Sequence, residues 1–284
     1  MTCSPKNNAP ADPAYFQEIE HWHSQRVKAL KGASGWLNIA GLFWLKPGIN
    51  TFGSGGDNDL VYPAGFAAEH AGYFLLESGK VKQVVSGDAV VTRAGLPVEE
   101  LIVFHPDSVN QPLLESGSLQ WFVIKRDARY GVRLRDLQSP ALESFTGVDR
   151  FAIDPIWKVV AQWETTVGRT IPITNVLGQT TEQPSPGTLV FTLNGKELHL
   201  DALDEGENEL FLIFGDATNA KETYGAGRYL YVSKPDASNL VIVDFNKAQN
   251  PPCAFTDFAT CPLPPIQNVL NLEIKAGEKN YTHR

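Results

Sequence analysis

Short apolar runs, separated by residues that favour turns, restrict the fold of this sequence more than any other feature. Runs such as 98–104 and 119–125 are rich in β-branched and aromatic residues, and Gly, Pro, Asp or Ser bounds them. The alternation Val-Arg-Leu-Arg at 132–135 is typical of a strand with one face in water. With 24 Gly and 19 Pro in 284 residues, the chain has enough turn formers to join many short strands.

The predicted strands continue through the second half of the chain, from 157–163 to 270–274. Between the runs 188–193 and 197–200, the dipeptide Asn194-Gly195 is a strong signal for a two-residue hairpin. The pattern therefore predicts an all-β protein, mostly antiparallel and sandwich-like or barrel-like.

One helix is predicted near the N-terminus, over residues 12–32. Asp12 is suited to the N-cap position, and Pro13 to the first helical position, where its missing N–H costs nothing. Apolar residues follow near helical spacing and Gly32 is a natural stop. The apolar residues of this stripe are Phe16, Ile19, Val27 and Leu30, with Trp22 beside them.

The domain organisation follows from these patterns. Residues 1–11 are polar and predict a flexible tether, followed by the helix. A first, sandwich-like β-domain is expected over 33–140 and a second β-domain over 150–284, with a polar, turn-rich boundary between them. Within the second domain, the proline-rich segment 250–265 predicts an ordered, irregular cover loop.

The net charge of −8 and the lack of any basic run longer than Lys125-Arg126 argue against nucleic acid as a partner. No stretch approaches the roughly 20 apolar residues of a membrane-spanning helix. Cys3, followed by a small residue and a polar tether, is typical of a mature bacterial lipoprotein, so a lipid on Cys3 is the one membrane attachment expected. Two locations stay open: the cell envelope or periplasm, and the cytoplasm.

Long motifs in the last quarter of the chain carry a family resemblance. They are Asp-Ala-Thr at 216–218, Lys-Glu-Thr-Tyr-Gly-Ala-Gly-Arg-Tyr-Leu at 221–230, Asp-Phe-Asn-Lys-Ala at 244–248, Asn-Pro-Pro-Cys-Ala-Phe at 250–255 and Ala-Thr-Cys-Pro-Leu-Pro-Pro at 259–265, with Trp-Leu at 36–37, Gly-Leu-Phe-Trp-Leu at 41–45 and Phe-Gly at 52–53 upstream. The chain resembles the DUF1684 family, a bacterial and archaeal domain of unknown function. The resemblance implies a shared architecture and supplies no activity, although some relatives resemble exported lipoproteins.

A weaker resemblance concerns residues 48–87. Phe52-Gly53, His70 and Gly79-Lys80 follow the order of the opening strands of forkhead-associated phosphopeptide modules. Those modules hold phosphate with an Arg and a Ser, but the matching positions here look like Ser54 and Ala67. We therefore expect a similar β-sandwich without phosphate recognition.

The strongest candidate site combines the segments 216–231 and 244–261, where polar side chains are dense. Glu222 and Asp244 are the candidate acid and base, provided that the fold brings them together. The candidate ligand-binding residues are Lys221, Tyr224, Arg228 and Asn246. Gly225 and Gly227 suggest a backbone anion nest. In the alternative interpretation, Arg228 pins a loop through Glu222 or Asp244.

Cys253 and Cys261 are expected to hold the cover loop, as a disulfide in an oxidising compartment or as buried thiols in the cytosol. Asp244 and Asn246 are candidates to bond the backbone of that loop. Thiol catalysis would need a base, and the nearest histidine in sequence is His283. No metal and no cofactor is predicted; His199 and Asp201 could share a strand face, but a solvated face or a core hydrogen bond is the preferred interpretation.

Three functions stay open. The preferred hypothesis is an envelope protein that binds a small polar or anionic ligand at the candidate site. The second is a metal-independent hydrolase or transferase that uses Glu222 or Asp244. The third is a structural or partner-binding protein in which the same motifs only lock the cover loop.

Overall fold

The structure is a computed structural model that describes residues 12–63, 66, 68–204, 206 and 208–281. Cys3, with the predicted tether, and His283 lie outside the described residues. The helices are α1 (Pro13–Lys31) and α2 (Pro140–Ser144). The strands are β1 (Ile39–Trp44), β2 (Gly48–Gly53), β3 (Leu60–Val61), β4 (Gly72–Glu77), β5 (Lys80–Val85), β6 (Thr92–Arg93), β7 (Leu96–Pro97), β8 (Glu100–Phe104), β9 (Leu114–Ser116), β10 (Leu119–Arg126), β11 (Arg129–Asp136), β12 (Lys158–Thr165), β13 (Thr170–Thr174), β14 (Thr180–Pro184), β15 (Gly187–Leu193), β16 (Lys196–Asp204), β17 (Glu209–Asp216), β18 (Arg228–Ser233), β19 (Leu240–Asp244) and β20 (Val269–Leu270).

This architecture confirms the predicted fold class, which was all-β and mostly antiparallel with one N-terminal helix. The described residues add one short helix, α2, which sequence patterns did not indicate. The chain forms two compact units. One contains residues 30–145, and the other combines the described residues up to Ala29 with those from Thr146 onward. Neither described helix has the length and apolar character that crossing a membrane requires.

The unit of residues 30–145 is built from two sheets that share one apolar core. A six-stranded sheet has the order β1-β11-β10-β9-β6-β7, and a five-stranded sheet has the order β3-β2-β4-β5-β8. Phe52 of the smaller sheet contacts Trp121 of the larger one across the core, with ring centroids 6.3 Å apart. The indole N–H of Trp121 donates to Gln83 at 2.9 Å, so the polar atom of this buried ring is satisfied.

The other unit is a nearly closed, barrel-like sheet with the strand order β18-β17-β16-β15-β12-β19, and β20 pairs in parallel with β17. The two end strands, β18 and β19, also approach each other. Alternate residues fill the interior, so Val241 and Val243 of β19 are buried while Ile242 is 57% exposed on the outer face. Asp244 lies two residues after Ile242, so its side chain leaves β19 on the same outer face.

The hairpin predicted at Asn194-Gly195 joins β15 and β16, with Leu193 opposite Lys196. Both turn residues have positive φ, +52° and +73°, as a two-residue turn of this kind requires. Glycine and asparagine tolerate that conformation better than other residues, which is why the dipeptide predicted the turn correctly.

Helix α1 begins as the sequence predicted, because Oδ1 of Asp12 accepts the N–H of Ala14 at 2.9 Å. Its inward face includes Ile19, which is 1% exposed, and also Tyr15, which was not part of the predicted apolar stripe. Tyr15 is 8% exposed. Its buried hydroxyl donates a hydrogen bond to Asp244 of β19.

Candidate functional site

Arg228 and Asp216 form a buried ion pair, with Nη2 of Arg228 2.7 Å from Oδ2 of Asp216 and both side chains fully buried. Arg228 also donates to the carbonyls of Ile274, at 2.8 Å, and Ala276. An interior ion pair is stabilising only when further hydrogen bonds satisfy it. Arg228, predicted as a ligand-binding residue, therefore fastens the C-terminal segment to the barrel.

The turn after β17 is held by hydrogen bonds among its own side chains. Oδ1 of Asp216 accepts the backbone N–H and the hydroxyl of Thr218, and that hydroxyl lies 2.8 Å from the hydroxyl of Thr223. Gly227 has φ +90°, and a Cβ there would lie 2.4 Å from Cγ of Pro264. Glycine at this position thus permits close packing of the proline-rich loop.

Lys221 and Glu222 lie at the protein surface. Nζ of Lys221 donates to the carbonyl of Ala217 at 3.2 Å. Oε1 of Glu222 lies 3.0 Å from Nζ of Lys275, and both side chains are more than a third exposed. Glu222 and Asp244, the predicted acid and base, therefore have different partners, one at the surface and one buried.

Cys253 and Cys261 face each other inside the loop 250–265, and both are thiols in the structure. The N–H of Cys253 donates to Sγ of Cys261 at 3.0 Å. Hydrogen bonding with the Cys253 side chain, together with burial, raises the pKa of the Cys261 thiol. Burial and the neighbouring cysteines also raise the pKa of Tyr224, so this predicted ligand-binding residue lies beside the thiol pair.

The loop containing these cysteines is fixed by backbone contacts. The N–H of Val176 donates to the carbonyl of Cys261, and the N–H of Leu263 to that of Thr174. The Tyr229 hydroxyl donates to the carbonyl of Pro262 at 2.9 Å. The loop thus packs beside the β13–β14 hairpin and β18.

Asp244 and Asn246 meet in a second cluster, beneath helix α1. The hydroxyl of Tyr15 lies 2.9 and 3.0 Å from the two carboxylate oxygens of Asp244. Oδ1 of Asp244 also accepts the backbone N–H and the side-chain amide of Asn246. The amide of Asn246 further donates to the carbonyl of Asp154 at 2.9 Å. Among the described residues, these side chains bond Tyr15 and Asp154 rather than the backbone of the loop 250–265, where sequence analysis expected them.

This cluster keeps the Tyr15 phenol protonated. Burial and the Asp244 carboxylate both raise the pKa of Tyr15 well above its ordinary value. The phenol is therefore a fixed hydrogen-bond donor to Asp244 at any physiological pH. Because Asp244 is 6% exposed and begins on the outer face of β19, Tyr15 is the residue that covers it.

A cavity of about 210 Å³ opens beside Asp244. Nζ of Lys247 lies 2.5 Å from Oε1 of Glu18, and this hydrogen bond lowers the pKa of Glu18. Lys158 lies directly opposite Asp244 in the β12–β19 register, and its Nζ stands 4.7 Å from the centroid of the Tyr15 ring. The lining residues are Glu18, Lys158, Tyr231, Val232, Ser233, Ile242, Asp244 and Lys247.

A second cavity, of about 380 Å³, adjoins the first, because Tyr231 and Lys247 line both. Its lining residues are Trp22, Gln25, Arg26, Ala29, Glu209, Tyr231, Lys247 and Gln249. We call the two cavities together the α1 groove. Its walls are one face of helix α1 and the outer surface of β12, β17, β18 and β19.

Arg26 connects the groove to a buried polar cluster. Its Nε lies 3.2 Å from Oε1 of Glu278, and its Nη2 donates to the carbonyl of Asn250 at 3.0 Å. Oε2 of Glu278 accepts the N–H of Asn250 at 2.6 Å. The charge of Arg26 is therefore already balanced by the C-terminal segment.

No group of three or more metal-ligating side chains occurs in the described part of the chain. His199 contacts Glu197 at 3.3 Å. Asp201 accepts hydrogen bonds from Arg169, Thr188 and Gln267. The Asp201 carboxylate, a possible metal ligand by its position beside His199 in the sequence, thus accepts hydrogen bonds from protein donors instead.

The sequence patterns did not indicate Glu18, Lys158 or Tyr231, which line the groove, nor Tyr15, which covers Asp244 beside it. A signal for two of them was present, since Tyr15, Glu18, Trp22 and Ala29 follow one another at helical spacing on a face that mixes aromatic and polar residues. Lys158 and Tyr231 reach the groove only because β12, β19 and β18 are neighbours in the barrel, and a single strand pattern does not indicate that pairing.

The match to a known protein family lies in the second half of the chain. Residues 143–279 match the family described as "Protein of unknown function (DUF1684)". The solution NMR structure of an uncharacterized protein from Haloarcula marismortui is 29% identical, with a TM-score of 0.41; the match covers 48% of this chain and 78% of that one. No curated protein matches the chain. The forkhead-associated analogy gains no support. The comparisons thus show a match to the DUF1684 family, a family of unknown function, over residues 143–279.

Proposed function

We propose that this protein binds a small polar ligand in the α1 groove and that an anionic group of the ligand meets Lys158. The observation that carries the proposal is the position of Lys158, which lies opposite the buried Asp244 in the strand register and lines an open cavity. A ligand pocket typically combines apolar walls with a few fixed polar groups, and this groove has both.

The charged residues of the groove leave Lys158 available for an anionic group of the ligand. Lys247 is paired with Glu18, and Arg26 with Glu278. Within the described ranges, Lys158 has no carboxylate at ion-pair distance, and the tyrosine ring beneath it attracts cations only weakly. An incoming carboxylate or phosphate would therefore find a cation without displacing an existing ion pair.

The contacts of the predicted acid and base favour binding over hydrolysis. A general acid and a general base must both reach the reacting atoms. Glu222 is paired with Lys275 at the surface, whereas Asp244 accepts hydrogen bonds from Tyr15 and Asn246. A hydrolase or transferase that uses Glu222 and Asp244 is the alternative, and it requires these two carboxylates to share one substrate.

The ligand assay uses isothermal titration calorimetry with probes of defined charge: glutamate, citrate, glucuronate, glucose 6-phosphate and uncharged glucose. We expect at least one anionic probe to bind, and Lys158→Gln to weaken its binding by roughly tenfold or more. Lys234→Gln is the matched control, because Lys234 pairs with Asp204 away from the groove. Equal binding by both variants, or no binding by any probe, would contradict the proposal.

An envelope location belongs to the same proposal and rests on Cys3 and its polar surroundings. A lipid there would hold the binding unit at a membrane surface. The test is palmitate labelling of the protein produced in bacterial cells, with Cys3→Ser as the control. Label on the wild-type protein alone supports the location, and absence of label from both contradicts it.

A further inference from the structure

The larger cavity of the α1 groove presents two aromatic side chains. Trp22 of α1 is partly buried, and Tyr231 of β18 is 41% exposed. The Tyr231 ring stacks on Phe211 of the neighbouring strand, with centroids 4.8 Å apart and an angle of 16° between the planes. This stacking fixes the ring in place, so Tyr231 offers a rigid aromatic surface to the groove.

Around these rings lie polar side chains with unused hydrogen-bonding capacity. Gln25, Glu209 and Gln249 line the cavity, and their side chains make no hydrogen bond to any residue that the structure describes. Each amide offers two donors and an acceptor, and the carboxylate of Glu209 accepts only. The cavity thus combines aromatic side chains with hydrogen-bond donors and acceptors.

This combination matches the chemistry of a sugar ring. A pyranose has a C–H face, which packs on an aromatic ring, and an edge of hydroxyls, each of which donates and accepts. Amide and carboxylate side chains satisfy such hydroxyls without a change of charge. We infer that the ligand of the α1 groove is a short acidic oligosaccharide: one ring packs between Trp22 and Tyr231, and the carboxylate of a neighbouring uronic acid meets Lys158.

A nucleotide would also stack on aromatic rings, but the charges of the groove that have no partner favour an acidic oligosaccharide. With Arg26 and Lys247 paired, the groove leaves one cation, Lys158, and two carboxylates, Glu209 and Asp244, of which Asp244 is hydrogen-bonded to Tyr15 and Asn246. A nucleoside di- or triphosphate would bring several negative charges to a site with one available cation. A uronic acid brings a single carboxylate, and its hydroxyls can donate to Glu209.

This inference rests on the proposed function, because both place the ligand in the same groove. The experiment measures binding of trigalacturonic acid, neutral maltotriose and citrate by isothermal titration calorimetry. We expect trigalacturonic acid to bind more tightly than maltotriose, and citrate to bind most weakly. Tyr231→Ala should weaken trigalacturonic acid binding by roughly tenfold or more, and Trp22→Ala should do the same. Lys158→Gln should reduce its affinity toward that of maltotriose.

Phe258→Ala is the matched control, because Phe258 is 38% exposed, nearly as much as Tyr231, and does not line the groove. Circular dichroism of each variant confirms folding, and Tyr231→Phe, which keeps the ring, should retain binding. If citrate binds and depends on Lys158 while neither trisaccharide binds, the saccharide inference is overturned and the proposed function stands. If no probe binds, both are overturned.

Discussion

The phenol oxygen of Tyr15 lies 2.9 Å from Oδ2 of Asp244, although 229 residues separate the two along the chain. This hydrogen bond joins the first turn of α1 to the end of β19. It covers a carboxylate that would otherwise face solvent from the outer surface of the barrel. The α1 groove lies beside this contact, so the position of α1 determines the shape of the groove.

Tyr15→Phe tests this contact directly. The substitution removes a donor from a buried carboxylate, and we expect it to lower the free energy of unfolding by about 1–3 kcal/mol. Urea denaturation measures the change. Tyr73→Phe is the control, because the Tyr73 hydroxyl makes no hydrogen bond to the described residues. Equal stability of the two variants would show that the Tyr15–Asp244 bond contributes nothing.

Removal of one partner of the Arg228–Asp216 pair should have a larger effect. Arg228→Met leaves the Asp216 carboxylate buried without its cation, and we expect a loss of about 3–5 kcal/mol or failure to fold. The double variant Arg228→Met with Asp216→Leu should recover part of that loss, because no charge then remains buried. A double variant less stable than Arg228→Met would contradict this account of the pair.

The pH dependence of stability should include a contribution from Asp201. Burial opposes ionisation of this carboxyl, but hydrogen bonds from Thr188, Arg169 and Gln267 outweigh it and lower its pKa. The contribution is therefore fully present above the unfolded pKa of about 3.9 and is lost as the pH falls through the lower folded pKa. Wild type should exceed Asp201→Asn in stability by a margin that is constant from pH 7 to 5 and shrinks below about pH 4. A margin unchanged to pH 2 would contradict the shift.

Cys253 and Cys261 should form an intramolecular disulfide when a disulfide oxidant accepts their two electrons and two protons. With oxidised glutathione, each oxidised protein yields two reduced glutathione molecules and loses two hydrogens by mass spectrometry. In the chain-entropy estimate the closed loop adds about 2–3 kcal/mol of stability. The assay uses a Cys3→Ser background, with Cys261→Ser as the control. Persistence of both thiols, or only mixed disulfides with glutathione, would argue against the pairing.

Much of the fold followed from local patterns. Asp12 and Pro13 predicted where α1 begins, and Asn194-Gly195 predicted the β15–β16 turn, because capping and turn chemistry depend on a few adjacent residues. The short helix α2 was not predicted. Its signals, Ser139 as N-cap and Pro140 at the first position, stand in a segment with no apolar periodicity.

The partners of the candidate site residues were harder to predict, because they depend on contacts between distant segments. Arg228 was expected to bind a ligand or to pair with Glu222 or Asp244, but its partner is Asp216. Asp244 was expected to bond the loop 250–265, but α1 brings Tyr15 to it. A charged residue in a sequence shows that a partner is needed. Which residue supplies that partner depends on strand order and on helix docking.

Amide chemical shifts of ¹⁵N-labelled protein report which residues the ligand contacts. On titration with trigalacturonic acid, we expect the shifted amides to cluster at 18–29, 158, 231–233 and 247–249, around the α1 groove. Shifts confined to the turn 216–228 and the loop 250–265 would place the ligand where the sequence first suggested. That outcome, or an unchanged spectrum at millimolar trigalacturonic acid, would show that the α1 groove does not bind this ligand.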